Sequence, residues 1–135
     1  MKMEITIDFS GETRVDAHAG EYTIRTDQPL KGGGEGSAPT PFTLFLASIG
    51  TCAGFYVLKF CRQRGLSTDG IRLVEKVYSD PESHMVRRIE LEIEIPPTFP
   101  AQYHAALIHS ANLCAVKKHL ENPPEITTHT KVIGG

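Results

Sequence analysis

The 135-residue chain has the length of one domain, and its 40% hydrophobic and 22% charged residues are ordinary for a globular protein. A net charge of −2, with no basic run longer than a pair, excludes the basic surface expected of a nucleic-acid-binding protein. Three cysteines without a Cys-x-x-Cys pair argue against a disulfide framework and a zinc site.

These bounds predict a single domain over residues 1–135 with neither a metal nor a cofactor. His104 and His109 are five residues apart, which is poor spacing for sharing a metal ion on one helix face. The first residues, MKMEITIDFS, carry acidic side chains where a signal peptide needs an apolar segment, so we expect a cytoplasmic protein.

The first part of the chain shows the alternation of apolar and polar residues that is typical of half-buried strands. It predicts a three-stranded antiparallel meander formed by Met3–Phe9, Arg14–His18 and Glu21–Thr26. The glycine-rich segment from Pro29 to Pro41 lacks the Lys-Ser/Thr ending of a phosphate-binding loop, and we predict a flexible connector there.

The segment from Pro39 to Gly65 predicts one long helix with Cys52 near its centre. Thr40 can cap its first turn, Pro41 suits the first helical position, and Gly65 can end it in a left-handed conformation. The helix is apolar nearly all round, with Phe45, Ile49, Cys52 and Tyr56 on one predicted stripe, which is typical of a core helix or of a membrane span. Because the remainder of the chain has the composition of a soluble domain, we expect a core helix and no membrane partner.

The second part of the chain predicts a hairpin, two shorter helices and a last strand. The hairpin strands are Ile71–Tyr78 and Met85–Ile95, and the acidic row on the second strand is expected to face solvent. Thr98 can cap one helix, and Asn112 can cap another at Leu113–Leu120, with Cys114 in its first turn. Ile126–Ile133 is predicted as the final strand.

The three cysteines differ in their predicted surroundings. Cys114, at a helix start, is expected to have a lowered pKa because the exposed N–H groups there favour the thiolate. Cys52, in the middle of an apolar helix, is expected to be buried with a raised pKa, and on local grounds it is a small core residue unless an arginine approaches it. Cys61 lies on the opposite side of the helix from Cys52 and is predicted to pack or to be a partly exposed free thiol.

Two segments carry a resemblance to a known family. PTPFTLFLASIGTC, from Pro39 to Cys52, and NLCAVKKHLENPPEI, from Asn112 to Ile126, resemble the two cysteine motifs of the OsmC/Ohr family, the osmotically inducible and organic-hydroperoxide-resistance proteins. The order of elements along the whole chain is similar as well. The resemblance implies an α+β fold of antiparallel sheets packed around long central helices, in an intertwined homodimer with sites at the subunit interface.

The resemblance also implies a two-cysteine thiol peroxidase. Cys52 would attack the O–O bond of an organic hydroperoxide and become a sulfenic acid, and Cys114 would condense with it to a disulfide that a dithiol reductant reopens. The family activates its reacting cysteine with an arginine from the N-terminal meander, for which Arg14 is the nearest candidate and Arg25 the alternative.

The sequence departs from the family pattern at the start of the long helix. Family peroxidases have Asn-Pro-Glu-Glu-Leu there, and one glutamate orients the arginine, whereas this chain has Phe42 and Thr43 in place of the two carboxylates. The second motif has Cys-Ala-Val where Cys-Pro-Val is common. The chain therefore resembles a divergent OsmC-like branch of the family.

Two functional hypotheses follow. The first is a cytoplasmic antioxidant enzyme that reduces organic hydroperoxides through Cys52 and Cys114, with Arg14 stabilising the Cys52 thiolate. The second is a non-catalytic module that either switches through a reversible disulfide or binds a small apolar ligand, and the missing carboxylates favour it.

Overall fold

The computed structural model describes residues 1–134, which form two compact units, Met1–Ser48 and the residues from Ile49 onward. Within residues 1–134, five strands and three α-helices make up an α+β protein with antiparallel sheets, so the predicted fold class is confirmed. The single domain predicted for residues 1–135 stays a prediction.

The N-terminal unit contains the predicted three-stranded antiparallel sheet. Its strands are β1 (Thr6–Gly11), β2 (Arg14–Ala19) and β3 (Tyr22–Thr26), with β2 in the middle. The register places Ile7 opposite Ala17 and Ala17 opposite Ile24. β1 begins at Thr6 and not at the predicted Met3. Thr6 pairs with His18, and its neighbouring strand β2 ends only one residue later, at Ala19.

The glycine-rich segment after β3 is held by backbone hydrogen bonds, which corrects the prediction of a flexible connector. A short 3₁₀ helix spans Leu30–Gly32, and the amides of Gly32 and Gly34 both donate to the carbonyl of Pro29, at 2.9 Å and 3.0 Å. The Asp27 amide donates to the Pro39 carbonyl at 3.2 Å, which closes the segment at its far end.

The long helix α1 spans Pro41–Gln63, and both of its predicted ends are confirmed. The Thr43 amide donates to the Thr40 hydroxyl oxygen at 3.2 Å, which is the capping bond. Gly65 has φ +65°, and the following residue, Leu66, donates its amide to the Cys61 carbonyl at 2.9 Å. This bond and the one from the Gly65 amide to Arg62 complete a Schellman motif.

The buried face of α1 differs from the predicted stripe. The residues that are buried are Ile49, Ala53, Val57, Phe60 and Cys61. Of the predicted stripe, only Ile49 is buried, whereas Cys52 and Tyr56 are half-buried and Phe45 is exposed. The helix is long and apolar enough to cross a membrane, a test that the core helix of a soluble protein passes equally.

The second unit contains the hairpin of β4 (Arg72–Ser79) and β5 (Val86–Glu94). One face of the hairpin packs towards a core of buried residues: Ala53, Val57, Phe60, Cys61, Phe99, Leu107, Ala111 and Cys114. The predicted acidic row of β5 is paired at the surface: Glu94 lies 2.5 Å from Arg72, and Glu92 lies 3.1 Å from Lys76.

The two short helices begin later than predicted. A 3₁₀ turn, Ala101–Tyr103, leads into α2 (His104–Ala111), and Thr98 caps neither. Asn112 follows the last residue of α2, and α3 spans Ala115–Glu121 with Cys114 as its N-cap. In the described chain Ile126–Ile133 forms no strand, which corrects that prediction, because the two sheets contain only β1–β3 and β4–β5.

Candidate functional site

Two of the three cysteines come together beside the start of α3. Cys52 lies in the middle of α1 and is half-buried, whereas Cys114 is 1% exposed. The Cys114 sulfur accepts the Lys117 amide at 3.4 Å and lies 3.9 Å from the Ile49 carbonyl oxygen. These contacts fix the orientation of the Cys114 side chain, which caps α3 in place of the predicted Asn112.

The environment of Cys52 favours its thiolate. The backbone N–H of Val116, in the first turn of α3, donates to the Cys52 sulfur and lowers the pKa of the Cys52 thiol, while partial burial opposes the shift. The Cys114 thiol and the Ala115 N–H also donate to it and lower the pKa further. Because hydrogen bonds to the charged form stabilise it, Cys52 is the thiol of this pair that ionises first.

Cys114 shifts in the opposite direction. Burial raises the pKa of the Cys114 thiol, and the adjacent Cys52 sulfur raises it further, although the Lys117 N–H partly opposes this. The prediction from local sequence, a lowered pKa at Cys114 and a raised one at Cys52, is therefore wrong. N–H groups at the start of α3 also donate to the thiol of Cys52, which lies on α1. The spacing of residues along the sequence does not indicate this contact between two helices.

Cys61 is separate from this pair. It is fully buried in the core of the second unit, where burial raises the pKa of its thiol and the Arg64 charge only partly offsets that effect. Of the two roles predicted for Cys61, packing is confirmed and partial exposure is wrong. A buried thiol with a raised pKa is a poor nucleophile.

An apolar cavity of about 270 Å³ lies within the second unit. Aliphatic side chains from α1, β5 and α3 line it (Ile49, Ile89, Leu91 and Leu120), together with Asn112 and Lys117. It lies next to Cys114 because the backbones of Ile49 and Lys117 both contact the Cys114 sulfur. The cavity was not predicted, although the alternation that places Ile89 and Leu91 on one face of β5 was its signal.

Arg14, the predicted activating residue, belongs to the N-terminal unit and lies at the start of β2. Its guanidinium Nη1 is 2.7 Å from Glu35 Oε1 in the glycine-rich connector. Arg14 and Arg25 line the same polar cavity of about 330 Å³ in that unit. The assignment of Arg14, with Arg25 as the alternative, stays a prediction.

Between residues 1 and 134, no group of three or more His, Cys, Asp or Glu side chains is arranged to hold a metal ion.

A long helix with a central cysteine, a short helix capped by a second cysteine and two antiparallel sheets define an α+β protein with a paired-thiol site. Residues 34–129, more than half of the chain, match the family model described as OsmC-like protein. The chain therefore belongs to the OsmC family, and the predicted family is confirmed. No protein of curated function matches the sequence.

Several solved structures share this fold. A Psychrobacter arcticus protein, provisionally named an osmotic stress induced and detoxification response protein, has a TM-score of 0.72 at 19% identity over 87% of each chain. The OsmC-like protein of Mycoplasma pneumoniae has a TM-score of 0.69 at 12% identity, covering 91% of this chain and 89% of its own. The organic hydroperoxide resistance protein OsmC of Legionella pneumophila has a TM-score of 0.54 at 17% identity over 89% of each chain. At these identities the likeness shows the fold alone.

Proposed function

We propose that this protein is a thiol-dependent peroxidase that reduces organic hydroperoxides through Cys52 and Cys114. The observation that carries the proposal is the contact between the two thiols, in which Cys114 and the first turn of α3 donate to Cys52 and lower its pKa. Membership of the OsmC family and the likeness to an organic hydroperoxide resistance protein support a peroxide-related role.

The proposed reaction has three balanced steps. The Cys52 thiolate attacks the terminal oxygen of ROOH, the O–O bond breaks, and ROH leaves after taking a proton, so that Cys52 becomes a sulfenic acid. The Cys114 thiol attacks that sulfur, releasing water and forming the Cys52–Cys114 disulfide. A dithiol reductant then exchanges with the disulfide, restores both thiols and is itself oxidised to a disulfide.

The surroundings of the pair suit an organic substrate. The four aliphatic side chains that line the 270 Å³ cavity can accept an alkyl group, and the cavity adjoins Cys114. In this proposal Arg14 supplies a permanent positive charge that adds to the hydrogen bonds on the Cys52 thiolate, and such a charge favours ionisation of a thiol.

We also propose that the protein acts as a homodimer in the cytoplasm. Exposed apolar side chains on the N-terminal sheet support the dimer: Phe9 is 85% exposed and Tyr22 is 70% exposed. Ile7 and Ile24, both opposite Ala17 on the same face of the sheet, are 56% and 42% exposed and connect the two. A contiguous apolar face of this kind is typical of a surface that another protein covers. Self-association is the usual way for an oligomeric protein to cover such a face.

The test is consumption of cumene hydroperoxide in the presence of a dithiol reductant. We expect Cys52→Ser to abolish turnover, and Cys114→Ser to allow one turnover with a sulfenic acid that dimedone traps. Cys61→Ala, which removes the core thiol, is the matched control and should retain activity. If Cys52→Ser consumes peroxide as fast as wild type, the proposed function is wrong.

The second candidate is a non-catalytic module that binds a small apolar ligand or switches through a reversible disulfide. The absence of acidic residues from the first turn of α1 favours it, because the family's carboxylates are missing there. Such a module would bind an apolar ligand in the 270 Å³ cavity without consuming peroxide. The same assay separates the two candidates.

A further inference from the structure

We propose that Lys117 determines substrate specificity by binding a carboxylate at the edge of the apolar cavity in the second unit. The preferred substrate is then a hydroperoxide with an alkyl chain and one anionic group, and a neutral hydroperoxide of the same size binds less well. This inference rests on the proposed function and names the substrate class of that same site. It starts from the lining of the cavity, where a lysine accompanies four aliphatic side chains.

The aliphatic and polar side chains occupy different depths of the cavity. Ile49, on α1, is buried, and Leu91, on β5, is half-buried. Asn112, which follows α2, and Lys117, on α3, are both exposed. The polar groups therefore lie where the cavity meets solvent. An apolar interior with a few polar groups that fix orientation suits a ligand with an apolar body and one charged end.

The positive charge of Lys117 has no anionic partner in the part of the chain that the structure describes. Its Nζ donates to the neutral amide oxygen of Asn112 at 3.0 Å. Glu121 lies one turn further along α3, where an ion pair with Lys117 could form, but neither residue takes part in one. Because a hydrogen bond between two charged groups is stronger than one to a neutral amide, a carboxylate can replace Asn112 as the partner.

The backbone of Lys117 is fixed beside the two thiols. Its amide donates to the Cys114 sulfur at 3.4 Å, and the preceding amide, that of Val116, donates to the Cys52 sulfur. One turn of α3 thus carries both the contacts to the thiols and the ammonium group. A substrate whose carboxylate is bound by Lys117 is held next to the cysteine pair, which reduces the entropy lost when it reacts.

The volume of the cavity limits the alkyl chain. At about 270 Å³ it is slightly smaller than the usual range of ligand pockets, which begins at about 300 Å³. A water molecule takes about 30 Å³ in the liquid, so the cavity has room for about nine non-hydrogen atoms. A carboxylate on a chain of about eight carbons meets this limit, and part of a longer chain would remain in solvent.

The experiment compares compounds that differ in charge and share a chain length. One arm measures kcat and KM for a hydroperoxyoctanoate and for its methyl ester, with a dithiol reductant. The other arm measures the Kd of octanoate and of octanamide by amide NMR titration and needs no turnover. Because Lys117 is exposed and water screens its charge, we expect a preference of about fivefold for the anionic compound in both arms. In the first arm the preference should lie in KM.

The variants separate Lys117 from the general charge of α3. Lys117→Gln should reduce the ratio between the anionic and the neutral compound to about one, and Lys117→Arg should retain most of it, because arginine keeps the charge. Lys118→Gln is the matched control, since it removes the same charge from the next residue, which is exposed and does not line the cavity. Lys118→Gln should keep the wild-type ratio.

Two outcomes overturn the inference. One is a wild-type protein that binds octanoate no better than octanamide, and the other is a Lys118→Gln variant that loses as much of the preference as Lys117→Gln. Neither outcome affects the proposed function, which fails only if Cys52→Ser consumes peroxide as fast as wild type. If the peroxidase fails in this way, the binding arm still decides whether Lys117 selects a carboxylate.

Discussion

The two thiols of the site differ in how readily they ionise, because only one of them receives several hydrogen bonds. We expect the midpoint of the pH dependence of alkylation to lie below that of an ordinary free thiol for Cys52 and above it for Cys114. Differential labelling with iodoacetamide across pH, read by mass spectrometry, measures both. Cys61, which is fully buried, is the internal control and should react slowly throughout. Equal midpoints for Cys52 and Cys114 would contradict the assignment of their roles.

Glu75 is a second titratable residue that burial affects. Burial raises the pKa of the Glu75 carboxyl, and a hydrogen bond from the Gly50 amide partly opposes this. Its Oε2 has no hydrogen-bond partner among the residues that the structure describes. Because the folded-state pKa lies above the unfolded value, the stability linked to this group is present at low pH and is lost as the pH rises through the folded-state pKa.

We therefore expect Glu75→Gln to raise the free energy of unfolding at pH 7 by about 1 kcal/mol, since glutamine keeps an oxygen for the Gly50 amide without a charge. Urea unfolding at pH 5 and pH 7 measures the effect, which should be smaller at pH 5. The same change at the exposed Glu82 is the control. A Glu75→Gln variant that is less stable than wild type at pH 7 would contradict this account.

What the sequence could indicate about these residues was limited to local effects. Burial of Cys61 was within reach, since its position on a helix relative to Cys52 follows from the helical repeat. The reversal of the pKa shifts at Cys52 and Cys114 was not, because the N–H groups that stabilise the Cys52 thiolate come from α3, which lies more than sixty residues away in the chain. The hydrogen bond of Arg14 to Glu35 likewise joins residues that no motif connects.

At the scale of secondary-structure elements, the glycine-rich connector depends on Asp27. The Ser37 hydroxyl, the Thr13 hydroxyl and the Ser37 amide hold the pKa of the Asp27 carboxyl well below its usual range. A carboxylate with a lowered folded-state pKa stabilises the fold above its unfolded value of about 3.9, and this stability is lost as the pH falls through the folded-state pKa.

Asp27→Asn should lower the urea midpoint at pH 7, because an amide nitrogen replaces one accepting oxygen and leaves one of the donors without a partner. In acid, the free energy of unfolding of this variant should also fall less than that of wild type. Unfolding followed by circular dichroism between pH 2 and pH 7 measures both changes. Asp69→Asn, at an exposed loop position, is the control. An unchanged midpoint in Asp27→Asn would show that the connector does not depend on this carboxylate.

The ends of α1 could be predicted because they depend on local chemistry. Thr40, Pro41 and Gly65 each act within one turn of their own position, and all three behave as their residue types indicate. The start of α3 could not be predicted in this way, because Asn112 and Cys114 are both able to cap a helix. In the structure Asn112 is the C-terminal cap of α2, and Cys114 is the N-cap of α3.

At the scale of the whole molecule, we predict a homodimer. We expect the 14.8 kDa chain to show twice its mass in light scattering coupled to size exclusion. Phe9→Ser should shift it towards the monomer, because Phe9 is 85% exposed on the apolar face of the N-terminal sheet. Leu30→Ser removes an apolar side chain that is 79% exposed on the connector, outside the sheet, and is the matched control. A monomeric wild type at micromolar concentration would contradict the prediction.

The family and the α+β fold were predicted from a resemblance, which the two cysteine motifs and the order of elements along the chain carry together. The last strand was not predictable in the same way. The residues Ile126–Ile133 have apolar character, but a strand needs a hydrogen-bonding neighbour, and the described chain offers none to this segment.

The central claim is that Cys52 and Cys114 form one redox pair. Its most direct test is to treat the reduced protein with one equivalent of cumene hydroperoxide without reductant, block the remaining thiols and map the peptides by mass spectrometry. We predict a disulfide between Cys52 and Cys114, with Cys61 recovered as a free thiol. Three free thiols after treatment, or a disulfide that contains Cys61, would contradict the account.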